Sequence, residues 1–377
     1  MAEPLTTTDT PAFVAVGDCP AIVFGLDART RADRLAVKAG LNPIGIARPG
    51  ADALLADLDF TWDPAWLKAM KARPGAALML GNRAVLVHVA PHQDPATVVA
   101  AMESKAAFTV DGYERLDAQS AEFNNHELRK RERPFVLAHD PSNPEPVERA
   151  AYDASYKGVT DALTLYLWRR PAFHLTRWAA MAGMTPNQIT LIGAALCVAT
   201  FFLFMNAWYW TGMVTGFGFM VLDTVDGKLA RCTGQSSWWG NIFDHGIDLV
   251  HPPFWWWAWA EGLNHLNDPF ERVYEVLIVA SIVAGYVVQR VIEGIFMRRY
   301  GMHIHVWQRI DSSFRLITAR RNPNMVILAV SLVFRRPDIG LELVALWTVV
   351  SLIFHAVRLA QANARAERGA TLSSWLA

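Results

Sequence analysis

The sequence predicts an α-helical integral membrane protein, with six transmembrane helices plus an interfacial amphipathic segment, behind a small amino-terminal soluble α/β domain. Three observations carry that expectation. The 377 residues are 53% hydrophobic and include 15 Trp, more than an ordinary soluble chain holds. The apolar excess is uneven: no charged residue occurs from Gln188 to Leu222, whereas residues 1–170 are rich in Asp, Glu, Lys and Arg. Through residues 20–110, short apolar runs alternate with helix-like stretches, the pattern of a layered α/β unit.

Taken in order, the first twenty residues, "MAEPLTTTDTPAFVAVGDCP", have neither a basic start nor a continuous apolar core. Nothing there resembles a cleavable signal peptide, so the amino end is expected in the cytoplasm. The runs "AIVFG", "PIGIA", "AALML" and "AVLVHV" are expected strands, and "DARTRADRLAVKAG" and "DPAWLKAMKAR" expected helices. Residues 111–150 are polar and read as a charged helix followed by a Pro-rich linker. The expected division is a soluble domain over 1–145, a linker and interfacial segment over 146–186, a six-helix domain over 187–365 and a cytoplasmic tail over 366–377.

In "YKGVTDALTLYLWRRPAFHLTRWAAMAGMTPNQIT", apolar and aromatic residues are mixed with Arg169, Arg170 and Arg177 and interrupted by Pro171. That mixture suits a bent helix lying in the membrane interface; a soluble helix packed on the first domain is the alternative. A spanning helix needs about 20 apolar residues. Such stretches fall near 187–206, 209–231, 237–260, 272–298, 322–336 and 339–362, the fifth being short. With the amino end inside, the inner connections carry Lys228, Arg231, Arg298, Arg299, Arg309, Arg315, Arg320 and Arg321, as the positive-inside rule requires. Arg335 and Arg336 are the exception. Cys19, Cys197 and Cys232 are too few and too scattered for a disulfide framework or a zinc site. A formal net charge of zero gives no sign of a nucleic-acid partner.

Four carboxylates interrupt this apolar setting. Asp223 and Asp226 are three residues apart at the inner end of the second span, and Asp244 and Asp248 four apart on the third, so each pair shares a helix face. A charge inside a span costs roughly 2.5 to 3.5 kcal/mol, so four of them require compensation. The short connection between the two helices folds them into a hairpin, and the four acids converge on one pocket near the cytoplasmic surface. An all-oxygen set of that charge matches two divalent cations, Mg²⁺ or Mn²⁺. Such a pair handles phosphate esters by drawing charge from the diphosphate while a hydroxyl attacks in line. Gly227 and Gly240 permit close approach, Arg231 offers a donor fork for phosphate, and Thr233, Ser236 and Ser237 are candidate hydrogen-bond donors beside it. The rival reading of buried membrane acids is an ion-coupled transporter or a non-catalytic scaffold.

The string Asp223-x₂-Asp226-Gly227-x₂-Ala230-Arg231-x₈-Gly240-x₃-Asp244-x₃-Asp248 resembles the complete signature of the CDP-alcohol phosphatidyltransferase family. The resemblance covers about residues 155–365 and includes "TPNQIT", with Pro186 and Asn187. It implies a six-helix enzyme, usually a homodimer, that moves a substituted phosphate from a CDP-linked donor to an alcohol acceptor among membrane lipids and releases CMP. It further implies that Asp223, Asp226 and Asp244 hold the metals, and that Asp248 helps and acts as the base. By the same resemblance, Asp226, Gly227, Ala230 and Arg231 receive the CDP moiety, with Thr233, Ser237 and Gly240 beside them and Asn187 near the nucleotide.

The extended stretches "DHGIDLVHPPFWWWAW" and "ITARRNPNMVIL" are similar to the branch that includes di-myo-inositol phosphate phosphate synthase, often fused behind a cytidylyltransferase-like domain. Inositol-related substrates follow from that likeness, with Arg290, Glu293, Arg320 and Arg321 as candidates for the acceptor. A phosphatidylinositol phosphate synthase or an amino-alcohol headgroup transferase is the alternative within the family. The first domain departs from a working nucleotidyltransferase: Gly25 has no second glycine close behind it, Arg29, Arg31 and Arg34 read as a solvated helix face, and Asp57 and Asp59 form too short a pattern for a metal site. The expectation is a degenerate domain.

Overall fold

The computed structural model describes residues 10–377 except Ala121, Glu127, Ser236, Ser237 and residues 267–270. Of Asn124, Trp238, Trp239, Asn241, Asp244 and His245 it describes the backbone.

Six strands build the sheet of the amino-terminal half: β1 (Ala12–Val16), β2 (Asn42–Pro43), β3 (Ala53–Asp57), β4 (Ala76–Leu80), β5 (Arg83–Val89) and β6 (Glu114–Asp117). Their order is β2-β1-β3-β5-β4-β6. β5 runs antiparallel to β3 and β4, while β1 pairs with β2 and β3, and β4 with β6, in parallel. Two strands at the centre were missed in the sequence. Phe13 and Ala15 of β1 enter one apolar cluster, and Val14 and Val16 enter another on the opposite face, so β1 has no need of alternation. The expected strands "AIVFG" and "PIGIA" supply only two-residue pieces, Ile22–Val23 and Asn42–Pro43.

Helices α1 (Ala28–Lys38), α2 (Pro64–Lys71) and α3 (Pro95–Glu103) flank the sheet. Each begins at an aspartate, Asp27, Asp63 or Asp94, whose carboxylate accepts a backbone N–H of the first turn. These caps satisfy donors that the helix itself leaves unpaired.

Among the described residues of 111–144 the expected charged helix does not form. β6 is followed by a hairpin of Phe123–Asn125 with Lys130–Glu132, then by Val136–Ala138 pairing with Phe60–Trp62, and only then by α4 (Glu145–Ala154). Sparse apolar residues decide the matter: Phe123 meets Trp66 edge-on at 4.9 Å and Val136 is buried. After a π-helical turn over Leu163–Leu167 comes α5 (Arg169–Met181). Pro171 sits in its first turn, where a missing N–H is harmless, so it starts the helix and does not bend it. One face buries Ala172, Phe173 and Ala180; the other exposes Leu175, Trp178 and Met181.

The remaining helices are α6 (Pro186–Met205), α7 (Tyr209–Cys232), α8 (Trp238–Leu263), α9 (Arg272–Tyr300), α10 (Arg309–Arg315), α11 (Arg321–Val333) and α12 (Pro337–Glu367). Among the described residues, α6, α9 and α12 are long and apolar enough to cross a membrane. At 13 residues, α11 extends about 20 Å, short of a hydrocarbon core of about 30 Å. The tryptophan run of α8 forms the core of the bundle: Trp255 and Trp259 are buried against Phe204, and their indole N–H groups donate to Cys197 O and Pro337 O at 3.0 Å each.

The two halves are docked. Arg31 is buried and donates to Cys232 O at the end of α7 and to Thr61, so it does not belong to a solvated face. Phe24 N–H donates to Glu148, which pairs with Arg177. Gly25 has a φ of +69°, and a Cβ there would lie 2.7 Å from Ala180 O; its role is close approach to α5.

Candidate active site

The cytoplasm-expected end of α7 and the facing part of α8 border a cavity of about 480 Å³. Asp223 and Asp248 line it, and Arg321 at the start of α11 lies between them: Nη2 donates to Asp223 Oδ2 and Nη1 to Asp248 Oδ1, each at 2.7 Å. Asp226, on the same face of α7, is buried beside the cavity; Thr190 Oγ1 donates to its Oδ2 at 2.7 Å and Gly227 N–H to its Oδ1 at 2.5 Å. The side chain of Asp244 and the whole of Ser237 and Ser236 lie outside the described residues.

This donor set fits hard divalent cations. Asp223 and Asp248 already bracket one cation, a guanidinium, at hydrogen-bond distance from both carboxylates, and every ligand offered is a carboxylate oxygen, the kind Mg²⁺ and Mn²⁺ prefer.

The expected CDP residues fall into two groups. Gly227 lies under the Arg231 fork, where a Cβ would come within 3.0 Å of Arg231 Nη2, and Arg231 lines the cavity. Ala230 is half-buried on the same helix. Thr233 departs from expectation, because its buried hydroxyl donates to Leu229 O at 2.7 Å, satisfying the end of its own helix in place of a ligand. Asn187 is exposed in the first turn of α6, and Gly240 lies in the first turn of α8; neither lines the cavity.

Of the expected acceptor residues, Arg290 and Arg320 line the cavity. Glu293 stands behind them, accepting from Arg320 Nη2 at 2.5 Å and from Arg290 Nη1 at 3.1 Å. Arg321 is corrected in role: the two aspartates hold both of its terminal nitrogens, so it belongs to the acidic cluster. Glu293, His305 and His355 bring possible metal-ligating atoms within 4.8 Å of one another. Arg320 Nη2 also lies 3.0 Å from His305 Nε2, so a guanidinium fills the place a metal would take.

Sequence reasoning missed Arg129, Lys157, Asp161 and Arg315, all of which line the same cavity. Asp161 accepts from Asn322 Nδ2 at 2.9 Å, tying the segment before α5 to α11. In the sequence Arg315 is only one charge of an inner connection. Arg129 comes from the α/β half and carries no motif.

The fold and the site define a class, a bundle of long apolar helices whose carboxylates face a cation-rich cavity. Residues 183–320 match the family described as CDP-alcohol phosphatidyltransferase. Human cholinephosphotransferase 1 is 36% identical over 91 residues, 21% of this chain and 22% of that protein. Archaetidylinositol phosphate synthase of Pyrococcus horikoshii is 24% identical over 208 residues, 53% of this chain and 95% of that protein. A crystal structure of Mycobacterium tuberculosis phosphatidylinositol phosphate synthase with CDP-DAG bound shares 18% identity over 50% of this chain and 94% of that one, with a TM-score of 0.38. The chain spans about a fifth of the human, mouse and cattle cholinephosphotransferases it matches.

Proposed function

We propose that the chain is a membrane-embedded CDP-alcohol phosphotransferase that moves a substituted phosphate from a CDP-linked lipid to a phosphorylated polyol, an inositol phosphate being the candidate, and releases CMP. The observation that carries this reading is the shared cavity: Asp223 and Asp248 line the same space as Arg231, Arg290 and Arg320. Carboxylates for metal and base and cations for an anionic acceptor meet there. A groove of about 750 Å³ between α6 and α8, lined by Val198, Phe201, Phe243, Val250 and Phe254, supports a lipidic donor.

Asp223, Asp226, Asp244 and Asp248 would hold two divalent cations, Mg²⁺ or Mn²⁺, which when bound supply charge neutralisation for the diphosphate. Arg231 binds the CDP phosphates through its fork, with Gly227 leaving room for it. Asp248, its side chain 42% exposed, takes the proton of the acceptor hydroxyl. The hydroxyl oxygen bonds to the lipid-linked phosphorus as the bond from that phosphorus to the bridging oxygen breaks, and the electron pair leaves on the CMP phosphate. Asn187, Thr233, Ser237 and Gly240 complete the nucleotide side in the resemblance; Thr233 has the weakest claim, given its bond to Leu229 O.

The same reading makes the protein a multi-pass homodimer with its site and amino-terminal half on the cytoplasmic side. It makes the α/β half inactive as a nucleotidyltransferase, which is supported by Asp57 and Asp59 both being paired with Arg83, at 2.7 and 2.9 Å. An amino-alcohol headgroup transferase is a second reading, favoured by the likeness to cholinephosphotransferase 1; it would carry its cationic headgroup on the CDP-linked donor, and that headgroup would meet Arg290 and Arg320 in the cavity. The test is CMP release with Mg²⁺ or Mn²⁺, from CDP-diacylglycerol with a panel of inositol 1-phosphate, inositol and glycerol 3-phosphate, and from CDP-choline with diacylglycerol. Turnover of CDP-diacylglycerol with the phosphorylated acceptors supports the reading; turnover of CDP-choline alone, or of neither donor, overturns it.

A further inference from the structure

The α/β half does more than sit beside the membrane domain: one of its side chains enters the cavity. Arg129 lies at the tip of the hairpin that joins Phe123–Asn125 to Lys130–Glu132 and lines the same space as Asp248. Its placement is built. The backbone of Arg129 has a φ of +51°, a left-handed conformation that costs a non-glycine residue energy and persists only when the surroundings fix it. Leu128, next to it, donates its N–H to Asn125 Oδ1 at 3.0 Å and accepts from Gly158 N–H at 2.8 Å. At Gly158 a Cβ would fall 2.7 Å from Arg129 O and 2.6 Å from Lys130 Cβ, so the hairpin is pressed directly on the segment after α4. Lys130 Nζ donates to Ala154 O at 2.6 Å and completes the clasp.

What Arg129 meets there is an excess of positive charge. Among the described residues, Arg129, Lys157, Lys228, Arg231, Arg290, Arg315, Arg320 and Arg321 line the cavity against Asp161, Asp223 and Asp248, eight cations to three acids. Some of the eight are engaged: Arg321 by Asp223 and Asp248, Arg290 and Arg320 by Glu293, Lys228 by Ser155 O and the Tyr156 ring. Arg315 is 7% exposed, and its Nε and Nη1 find no hydrogen-bond partner among the described residues. A buried guanidinium with unmet donors is costly unless an anion joins it. Burial and the neighbouring Arg320 draw Arg129 down to about 10, so it still carries its charge at neutral pH. Two cations from opposite halves of the chain, one of them unsatisfied, describe a seat for a phosphate monoester.

We infer that the α/β half completes the acceptor site, Arg129 binding the phosphate of a phosphorylated polyol together with Arg315 and so setting the preference for phosphorylated over free polyol. This rests on the phosphotransferase reading above. It gives the α/β half a role that needs no nucleotidyl transfer, since the hairpin remains a specificity element after the rest has lost its chemistry.

The test uses full-length protein in detergent with Mg²⁺. Binding of inositol 1-phosphate, of inorganic phosphate and of CDP-diacylglycerol is measured calorimetrically for the native chain, Arg129→Ala and Arg129→Gln, the last keeping a polar side chain should the alanine variant fold poorly. KM for inositol 1-phosphate and for the donor is read from CMP release. Losing a charge-assisted bond to phosphate weakens inositol 1-phosphate roughly 10- to 100-fold, with the donor changed less than twofold and free inositol unaffected. Unaltered phosphate binding in both variants, equal losses on donor and acceptor, or a native chain that binds neither phosphate probe overturns the inference. A native chain that releases no CMP from any CDP-alcohol defeats the phosphotransferase reading instead, and the calorimetric comparison still decides the role of Arg129.

Discussion

Arg321 Nη1 lies 2.7 Å from Asp248 Oδ1 while Nη2 of the same guanidinium lies 2.7 Å from Asp223 Oδ2. A side chain from α11 thereby cross-links the two helices that carry the aspartates. Removing it leaves two carboxylates facing each other across the cavity, and their repulsion should be relieved by divalent metal more than in the native chain. Arg321→Met is therefore expected to unfold at a lower temperature in EDTA and to regain more than the native chain does on adding Mg²⁺. Thermal scans of both proteins with and without Mg²⁺ check this; equal increments would show that the metal does not use these two carboxylates.

Asp248→Asn keeps the size and one acceptor oxygen but cannot take a proton. CMP release is expected to fall by about 10²- to 10⁴-fold, the usual contribution of a general base. Calorimetric titration should find CDP-diacylglycerol still bound. An activity within tenfold of native would assign the proton to another group.

Gly227→Ala places a methyl group 3.0 Å from Arg231 Nη2. The fork has to move by a few tenths of an ångström, and a bidentate phosphate contact tolerates that poorly. KM for the CDP donor is expected to rise by about 3- to 10-fold with the acceptor KM unchanged, since one good hydrogen bond to a charged group carries about 1.5 to 3 kcal/mol and only part of it is lost. A change confined to the acceptor would place Arg231 on the other side of the reaction.

That Asp223 and Asp248 meet at one cavity was legible because carboxylates are rare in apolar helices and a short connection folds their two helices together; the side chain of Asp244 lies outside the described residues. Partners drawn from elsewhere were not legible. Arg321 lies 73 and 98 residues from the aspartates it bridges, and nothing in "ARRNPN" separates it from the neighbouring Arg320, whose partner is Glu293. Arg129 was hidden more deeply, because dense charge in 111–150 masks the two-residue period of the short strands and suggests a helix. β1 and β3 were lost for the opposite reason, being so fully buried that "AFVAV" and "ALLAD" carry no alternation to read.

Burial, assisted by the nearby Arg31, pulls His139 from an ordinary 6.5 down to about 4. The folded state then binds fewer protons than the unfolded chain between those values, so stability rises with pH across the window and is lost as pH falls from about 6.5 toward 4. His139→Gln should flatten that part of the stability profile, measured as unfolding midpoint against pH. An unchanged slope would assign the acid limb to other groups.

The contact between Gly25 and Ala180 allows the docking of the two halves to be separated from local backbone strain. Gly25 has a φ of +69°, and a Cβ there would meet Ala180 O at 2.7 Å; Gly17 has a φ of +81° and nothing within 4 Å. Gly17→Ala therefore reports strain by itself, about 1 to 2 kcal/mol. Gly25→Ala adds an overpacked interface, typically about 1 to 3 kcal/mol more, and wedges the Ile22–Asp27 turn away from α5. If docking also seats the hairpin that carries Arg129, Gly25→Ala raises KM for inositol 1-phosphate while Gly17→Ala leaves it alone, and the donor KM moves in neither. Equal midpoints for the two variants, or equal acceptor KM values, would mean that the α/β half holds its hairpin in place without the Gly25 contact.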